Sequence, residues 1–130
     1  MNSHMDARRV VERYLHDVLG GPGATPPHEV ISNETLRQKV AAFRRSFGNV
    51  EVTPHLIVTA GDHAAVHFSA RAIHTGTFQG IRPTGRSWTA SCSALFRVED
   101  GRIADFWVTW DVLAILEQIG GLRRLPGSSA

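Results

Sequence analysis

The spacing of apolar residues divides the chain into helical ends and a strand-rich middle. In residues 6–21 and 33–48 the apolar positions recur every three to four residues, which is typical of amphipathic helices. In residues 50–110 they alternate, which is typical of half-buried strands, and after Asp111 the helical period returns. We therefore expect two helices, a meander of four long antiparallel strands and a short closing helix, which is an α+β arrangement.

Residues that begin, bend or end these elements support this division. Asp6, Asn33 and Asp111 each precede an apolar stripe and are predicted N-caps. The second predicted helix places Phe47 on its apolar face. Pro54 predicts an edge position or a bulge in the first strand, because proline cannot donate a ladder hydrogen bond.

In the last three predicted strands the even-numbered positions are apolar. These positions are Val66, Phe68, Ala70, Ala72, His74, Trp88, Ala90, Cys92, Ala94, Phe96, Val98, Ala104, Phe106, Val108 and Trp110. They predict a curved antiparallel sheet whose concave face is covered by the helices. Many of them are small, so either an apolar cavity or a solid core filled by helix side chains is compatible with the pattern.

The odd-numbered face of the same strands is mixed in character. Leu95 and Trp107 stand there among serine, threonine and charged residues. A large aromatic side chain on an otherwise polar face is typical of an interface, and we expect a homodimer through the sheet faces.

Composition narrows the class of protein. The chain has 130 residues, 42% of them hydrophobic, and a formal net charge of +2. We expect one domain over residues 6–121, with residues 1–5 a cloning scar and residues 122–130 a tail. The single cysteine, Cys92, excludes an internal disulfide, and the dispersed arginines argue against nucleic-acid binding. There is no metal-binding motif, membrane span or signal-peptide pattern, so we expect a cytoplasmic protein.

Three segments resemble a known family. Residues 74–88 contain the pattern H-x-G-x-F-x-G-I-x-P-T-G-R, residues 98–103 read VEDGRI, and residues 107–120 contain W-x-x-x-D-x-L-x-x-L-x-Q-x-G. Together they resemble the SnoaL-like polyketide cyclases, which have the nuclear-transport-factor-2-like fold. The resemblance implies a cone-shaped α+β barrel around an apolar pocket, with Phe78 and Ile81 folded over the pocket mouth.

The founding members of that family are aldol cyclases of anthracycline biosynthesis. Their reaction uses an aspartate base and an assisting histidine, and needs no cofactor. In ungapped register the aspartate position falls on Val108 and the histidine position on Ala94. Neither residue can transfer a proton, although Asp105 and Asp111 flank the region and a small shift in register restores an aspartate.

Another branch of the family takes part in anthracycline ring hydroxylation, and the stretch WTASCSALFRVEDGRIADFWVTWD resembles it closely. The resemblance implies that the protein binds an aromatic polyketide, that a separate NADPH-dependent quinone reductase supplies the hydroquinone, and that molecular oxygen is the co-substrate, with no bound metal or flavin. The implied proton-handling residues are Asp111, His74 and Tyr14. The implied substrate-binding residues are Trp88, Cys92, Ala94, Phe106, Val108, Trp110, Phe78 and Ile81.

Four functions therefore follow from the sequence. A hydroxylase component comes first and an aldol cyclase with a relocated base second. An epoxide hydrolase is third, because the inward faces lack the Asp-Arg-Asp relay that such relatives use. A non-catalytic binding module remains open because a fold does not fix a function.

Overall fold

A computed structural model describes residues 3–122 of the chain. Its elements are α1 (Ser3–Arg13), which continues into a π-helical turn (Tyr14–Leu19), a 3-10 turn (Pro27–Glu29), α2 (Glu34–Ser46), β1 (Phe47–Ala60), β2 (His63–His74), β3 (Ser87–Glu99), β4 (Arg102–Trp110) and α3 (Val112–Ile119). The strands form one antiparallel sheet in the order β1-β2-β3-β4, and the helices cover its concave face. Within residues 3–122, no helix combines the length and the apolar character needed to cross a bilayer. The predicted tail lies outside the described residues from 123 onward.

Two of the three predicted N-caps are confirmed. The Asn33 side chain accepts the N–H of Leu36 at 3.0 Å, and the Asp111 carboxylate accepts the N–H of Ala114 at 3.1 Å. The predicted start of the first helix at Asp6 is wrong, because α1 begins at Ser3. Neither glycine nor proline stands between these two residues, so nothing in the chain interrupts the helical hydrogen bonds there.

The first strand is an edge strand with two irregularities. Its pairing with β2 shifts register after Gly48 and again after Pro54, as the proline predicts. Phe47 does not end the second helix, as its spacing suggests, but begins β1 and pairs with His74. The helical period cannot separate these two placements, and strand pairing decides between them.

The alternation of the sheet faces is confirmed in β2 and β3, where the even-numbered positions are buried. In β4 the expectation fails at one position. A register shift after Arg97 places Ile103 opposite Val98, so fully buried Ile103 takes the inward position and Ala104 lies half-buried in the bulge. An extra residue on one strand reverses the faces on either side of it.

The short fourth strand leaves part of β3 without a strand neighbour, and α3 completes the hydrogen bonding there. The Gln118 amide donates to the carbonyl of Thr89 at 2.8 Å and accepts the Thr89 N–H at 2.9 Å. Asp111 donates its backbone N–H to the carbonyl of Ser91 at 3.1 Å. The glutamine thus replaces the missing strand and fixes α3 beside the sheet.

Candidate active site

A cavity of about 520 Å³ lies between α2, β4 and the loop that joins β2 to β3. The side chains that line it are Tyr14, Leu19, Leu36, Lys39, Val40, Ala42, Phe43, Ser46, Phe47, Thr77, Phe78, Gln79, Phe106, Val108, Trp110, Val112 and Ile115. Its volume is in the range of small-molecule sites, which are mostly apolar clefts with a few polar groups.

Two periodic faces build most of this wall. On α2, the positions from Leu36 to Phe43 that face inward recur every three or four residues. On β4, Phe106, Val108 and Trp110 recur every second residue. The two faces contact each other where Phe43 meets Trp110, and the cavity occupies the space between the rest of them.

Aromatic rings form one end of the cavity. The Phe43 ring stacks on the Trp110 indole, with ring centroids 5.2 Å apart and planes at 23°. The Phe47 ring contacts two other rings, with its centroid 5.1 Å from that of Phe43 and 4.9 Å from that of Phe78. A flat aromatic ligand has both stacking and edge-on partners in such a wall.

Tyr14 carries the buried phenol of the cavity. Its ring packs edge-on against Phe96 with centroids 5.2 Å apart, and burial raises the pKa of its hydroxyl above the ordinary value. The hydroxyl makes no hydrogen bond to any residue in the described part of the chain. At neutral pH Tyr14 is therefore an uncharged donor that is free to bind an oxygen atom of a ligand.

The opening of the cavity, here called the rim, is marked by its exposed lining residues, which are Lys39, Ala42, Thr77, Gln79 and Val112. Among the lining side chains of residues 3–122, Lys39 carries the one charge, and no carboxylate or imidazole is present. The rim can thus attract an anionic oxygen, whereas the interior supplies no strong base.

The loop of residues 75–86 is tied to the end of α2 through Ser46. The Ser46 carbonyl accepts the N–H groups of Thr75 and Gly76, and its hydroxyl donates to the Thr77 carbonyl at 2.8 Å. A Cβ atom on Gly76 would overlap the carbonyl oxygen of Arg45, so this close approach requires glycine. The tether holds Phe78 in the cavity wall.

The structure brings together five of the residues singled out from the sequence: Tyr14, Phe78, Phe106, Val108 and Trp110 all line the cavity. It does not bring the other six to the wall. Trp88, Cys92 and Ala94 are buried in the packed core, as are Ala70, Ala72 and Ala90. Ile81 lies beside Gly121 and Leu116 at the end of α3, so only Phe78 of the two loop residues covers the cavity.

Asp111 and His74 also lie outside the wall. Asp111 is exposed and its carboxylate caps α3. His74 is fully buried, and its Nδ1 accepts the Thr84 backbone N–H at 3.2 Å and lies 3.0 Å from the Thr84 hydroxyl. Asp105 points away from the helices and pairs with Arg97 at 2.6 Å.

Cys92 remains a thiol, because burial raises its pKa to about 12.

Sequence reasoning missed the contribution of α2. Phe43 fits the apolar stripe of the second predicted helix, but the stripe does not mark it as a ligand contact, and the sequence around Lys39, Ser46 and Thr77 carries no such signal either. The α2 face was the available clue, because a helix that covers a concave sheet also covers any cavity in it. In residues 3–122, no three His, Cys, Asp or Glu side chains cluster in a way that could hold a metal ion.

Comparison with known proteins identifies relatives of this chain. The model of the SnoaL-like polyketide cyclase family matches residues 4–119. A comparison with curated protein sequences gives no match.

Solved structures with the same fold are more numerous. A candidate polyketide cyclase from Acidithiobacillus ferrooxidans has a TM-score of 0.76 at 14% identity, covering 92% of this chain and 98% of its own. IdmH from Streptomyces antibioticus, a candidate polyketide cyclase, has a TM-score of 0.68 at 26% identity, covering 88% of this chain and 98% of its own. AclR from Streptomyces galilaeus, a candidate hydroxylase, has a TM-score of 0.68 at 16% identity, covering 96% of this chain and 85% of its own.

Proposed function

The chain belongs to the SnoaL-like polyketide cyclase family, and we propose that it hydroxylates a reduced anthraquinone as a tailoring enzyme of aromatic polyketide biosynthesis. One observation carries the proposal: the cavity is walled by aromatic rings, and its described lining holds no carboxylate or imidazole. An aldol cyclase needs a base next to the carbon that it deprotonates. An electron-rich hydroquinone reacts with oxygen through its own ring electrons and needs mainly a shaped, apolar site.

The dimensions of the cavity support a polycyclic aromatic ligand. A volume of about 520 Å³ accommodates a flat ring system, and the stacked pair Phe43 and Trp110 offers it an aromatic face. Phe106 and Phe78 line the cavity as well. Binding therefore rests on apolar contact and ring stacking, and these interactions also fix the orientation of the plane of the ligand.

The proposed reaction balances with one external reductant. A separate NADPH-dependent quinone reductase adds two electrons and two protons to the quinone and so converts it to its hydroquinone, QH2. In the cavity, a ring carbon of QH2 forms a bond to one atom of O2, and the O–O bond then breaks. One oxygen atom stays on carbon and the other leaves as water, so that QH2 + O2 gives Q–OH + H2O. Because NADPH is a cytoplasmic reductant, we place the reaction in the cytoplasm.

Two side chains have roles in this reaction. Tyr14 donates its neutral hydroxyl to an oxygen of the bound ring, which holds the reacting carbon in one position. Lys39 at the rim lowers the energy of negative charge that develops on the hydroquinone or on reduced oxygen. Neither role requires a metal ion or a flavin from this chain.

A ring-closing cyclase is the alternative, and the description of the family together with the 26% identity to IdmH favours it. Val108, which takes the aspartate position of the founding cyclases in the resemblance, lines the cavity and pairs with Ala94. A base at position 108 would thus face the ligand, but this chain has a valine there. A cyclase reaction in this protein needs a different base.

Oxygen uptake separates the two functions. An anthraquinone aglycone is reduced with dithionite, freed of excess reductant, and mixed with the protein in air-saturated buffer. The hydroxylase proposal predicts faster oxygen uptake than in a protein-free control, together with a product that has gained one oxygen atom. Ring closure of an open-chain precursor under nitrogen, with no oxygenated product in air, would instead make the protein a cyclase.

A further inference from the structure

Two side chains behind the cavity wall have buried N–H groups that no other residue of 3–122 satisfies. His74 is fully buried and Trp88 is 1% exposed, and neither His74 Nε2 nor Trp88 Nε1 has a hydrogen-bond partner within that range. Buried polar groups in folded proteins are nearly always satisfied, so two such groups in one region call for an explanation.

The hydrogen bonds of His74 determine the role of its free nitrogen. Because the Thr84 backbone N–H donates to Nδ1, that nitrogen carries no proton. The proton of the neutral imidazole is then on Nε2, which makes Nε2 a donor. The indole nitrogen of Trp88 is a donor in every state. Both groups therefore require an acceptor, and a second donor cannot satisfy them.

The two donors lie on the same face of neighbouring strands. Trp88 pairs with Ala72, and His74 lies two residues further along β2 on the same side of the sheet. Both rings border Phe47, whose ring centroid is 4.9 Å from that of Trp88 and 6.1 Å from that of His74. Phe47 itself lines the cavity. One phenyl ring therefore connects the cavity to both donors.

Phe47 is 2% exposed, and the residue lies beside an irregular part of the β1–β2 pairing. Phe47 is the first residue of β1, directly after α2, and the pairing of β1 with β2 shifts register between Gly48 and Glu51. Asn49 within that bulge has a φ of 51°. Because Phe47 lines the cavity and borders both donors, a ligand in the cavity reaches them only when this ring is displaced.

We propose that His74 and Trp88 form a donor pair that binds a carbonyl oxygen of the ligand once the Phe47 ring moves aside. The proposal rests on the function above, since it assumes an aromatic ligand in the cavity, and it specifies that the ring system carries a carbonyl oxygen, as the quinone product Q–OH does. Two N–H groups fixed in an apolar region favour an acceptor oxygen over an unsubstituted ring edge, because only the oxygen satisfies them. The pair would thereby set the orientation of the ring system.

Two probes of one shape test the pair. 9-Fluorenone carries a carbonyl group where fluorene carries a methylene group, so both fill the cavity alike. Calorimetric titration of the unmodified protein is expected to give about tenfold tighter binding of fluorenone than of fluorene. Trp88→Phe removes one donor. His74→Asn keeps an acceptor for Thr84, but its shorter side chain carries no N–H at the position of Nε2, so the second donor is lost from that place. Each variant is expected to lose most of the preference and to bind fluorene as before.

Trp110→Phe is the matched control, because it changes an indole that stacks in the cavity wall and is expected to weaken both probes alike. A readout on the unmodified protein guards against variants that do not fold. In 15N-labelled protein, the Trp88 indole and His74 imidazole N–H resonances are expected to move downfield with fluorenone and not with fluorene.

Three results would overturn the pair. If both probes bind equally, or if the preference survives in both variants, the donors hold a buried water or remain unsatisfied, and cavity binding still stands. Unmoved N–H resonances with bound fluorenone lead to the same conclusion. If neither probe binds, the cavity is not an aromatic site, and the proposed function fails together with the pair.

Discussion

The Phe43 ring stacks on the Trp110 indole at 5.2 Å, and this contact joins α2 to the end of β4. The same indole meets Phe68 edge-on at 5.4 Å, which anchors it to the packed core. One ring pair therefore closes the core on one side and forms the cavity wall on the other. A ligand that stacks on this pair contacts a surface that the fold already holds rigid, which lowers the entropy cost of binding.

Blocking the rim tests whether the cavity is the binding site. Ala42 is exposed and lines the cavity, whereas its neighbour Ala41 is exposed and does not. Ala42→Trp is expected to weaken fluorenone binding at least about tenfold, which corresponds to about 1.4 kcal/mol, because the indole occupies the opening. Ala41→Trp adds the same group one residue away and is expected to bind as the unmodified protein does.

Calorimetry with both variants provides the measurement, and circular dichroism checks that they fold. Equal affinity of the two tryptophan variants for fluorenone would mean that the ligand binds elsewhere.

Stability at alkaline pH tests the buried phenol and thiol. Burial raises the pKa of the Cys92 thiol from 9.0 to about 12 and raises that of Tyr14 above 10.0. Both groups stay protonated in the folded chain while the unfolded chain ionises, so the free energy of unfolding falls as pH rises from about 9 to about 12. Each group contributes a slope of at most about 1.4 kcal/mol per pH unit.

Urea unfolding at intervals across this pH range measures the slope. Cys92→Ala is expected to flatten it above pH 9, and Tyr14→Phe above pH 10. If the variant that carries both Cys92→Ala and Tyr14→Phe loses stability with pH as steeply as the unmodified protein, other groups cause the alkaline instability.

The sequence predicts the elements of this fold because their signals are local. The helical and strand periods, the caps Asn33 and Asp111 and the edge-strand proline Pro54 each depend on a few adjacent residues. Phe47 shows the limit of such signals. It continues the helical stripe of Phe43, yet it pairs with His74 at the start of β1.

The candidate site is less predictable because it depends on which inward residues the helices cover. Val108 and Cys92 have the same alternation in their strands, but only Val108 reaches the cavity. Lys39 is an ordinary exposed helix position until α2 is placed beside the β2–β3 loop. His74 ends a strand and carries a polar side chain, yet Thr84 holds it in the core.

The tether of the loop makes a prediction about glycine. Gly76→Ala is expected to lower the free energy of unfolding by about 1–3 kcal/mol, because the added methyl group overlaps the Arg45 carbonyl. Since the loop carries Phe78, the variant is also expected to release fluorenone faster. Gly48→Ala is the control, as its methyl group would lie 3.2 Å from the Thr75 side chain, which can move.

Urea unfolding and stopped-flow displacement of fluorenone measure both effects. Equal stability and equal release rates for the two alanine variants would mean that the tether does not hold the cavity wall.

The outer face of the sheet predicts a homodimer. Leu95 and Trp107 pair across β3 and β4 on that face, and the His63 ring stacks beside Trp107 at 6.4 Å. A two-fold axis through this face would bury the same apolar patch on both copies. Trp107→Glu is therefore expected to shift the protein from dimer to monomer in sedimentation velocity.

Leu113→Glu is the matched control for this charge, because Leu113 is 56% exposed and Trp107 54%, but Leu113 lies on α3 away from the sheet face. It is expected to leave the dimer intact. A protein that sediments as a monomer before any substitution would contradict the interface.

Labelled oxygen tests the central claim most directly. The protein is mixed with dithionite-reduced anthraquinone aglycone under 18O2, and the product is analysed by mass spectrometry. The account predicts a ring-hydroxylated product with one 18O atom, formed with the Ala41→Trp variant and lost with Ala42→Trp. Product without label, or hydroxylation that continues at the same rate when the rim is blocked, would contradict oxygen insertion in this cavity.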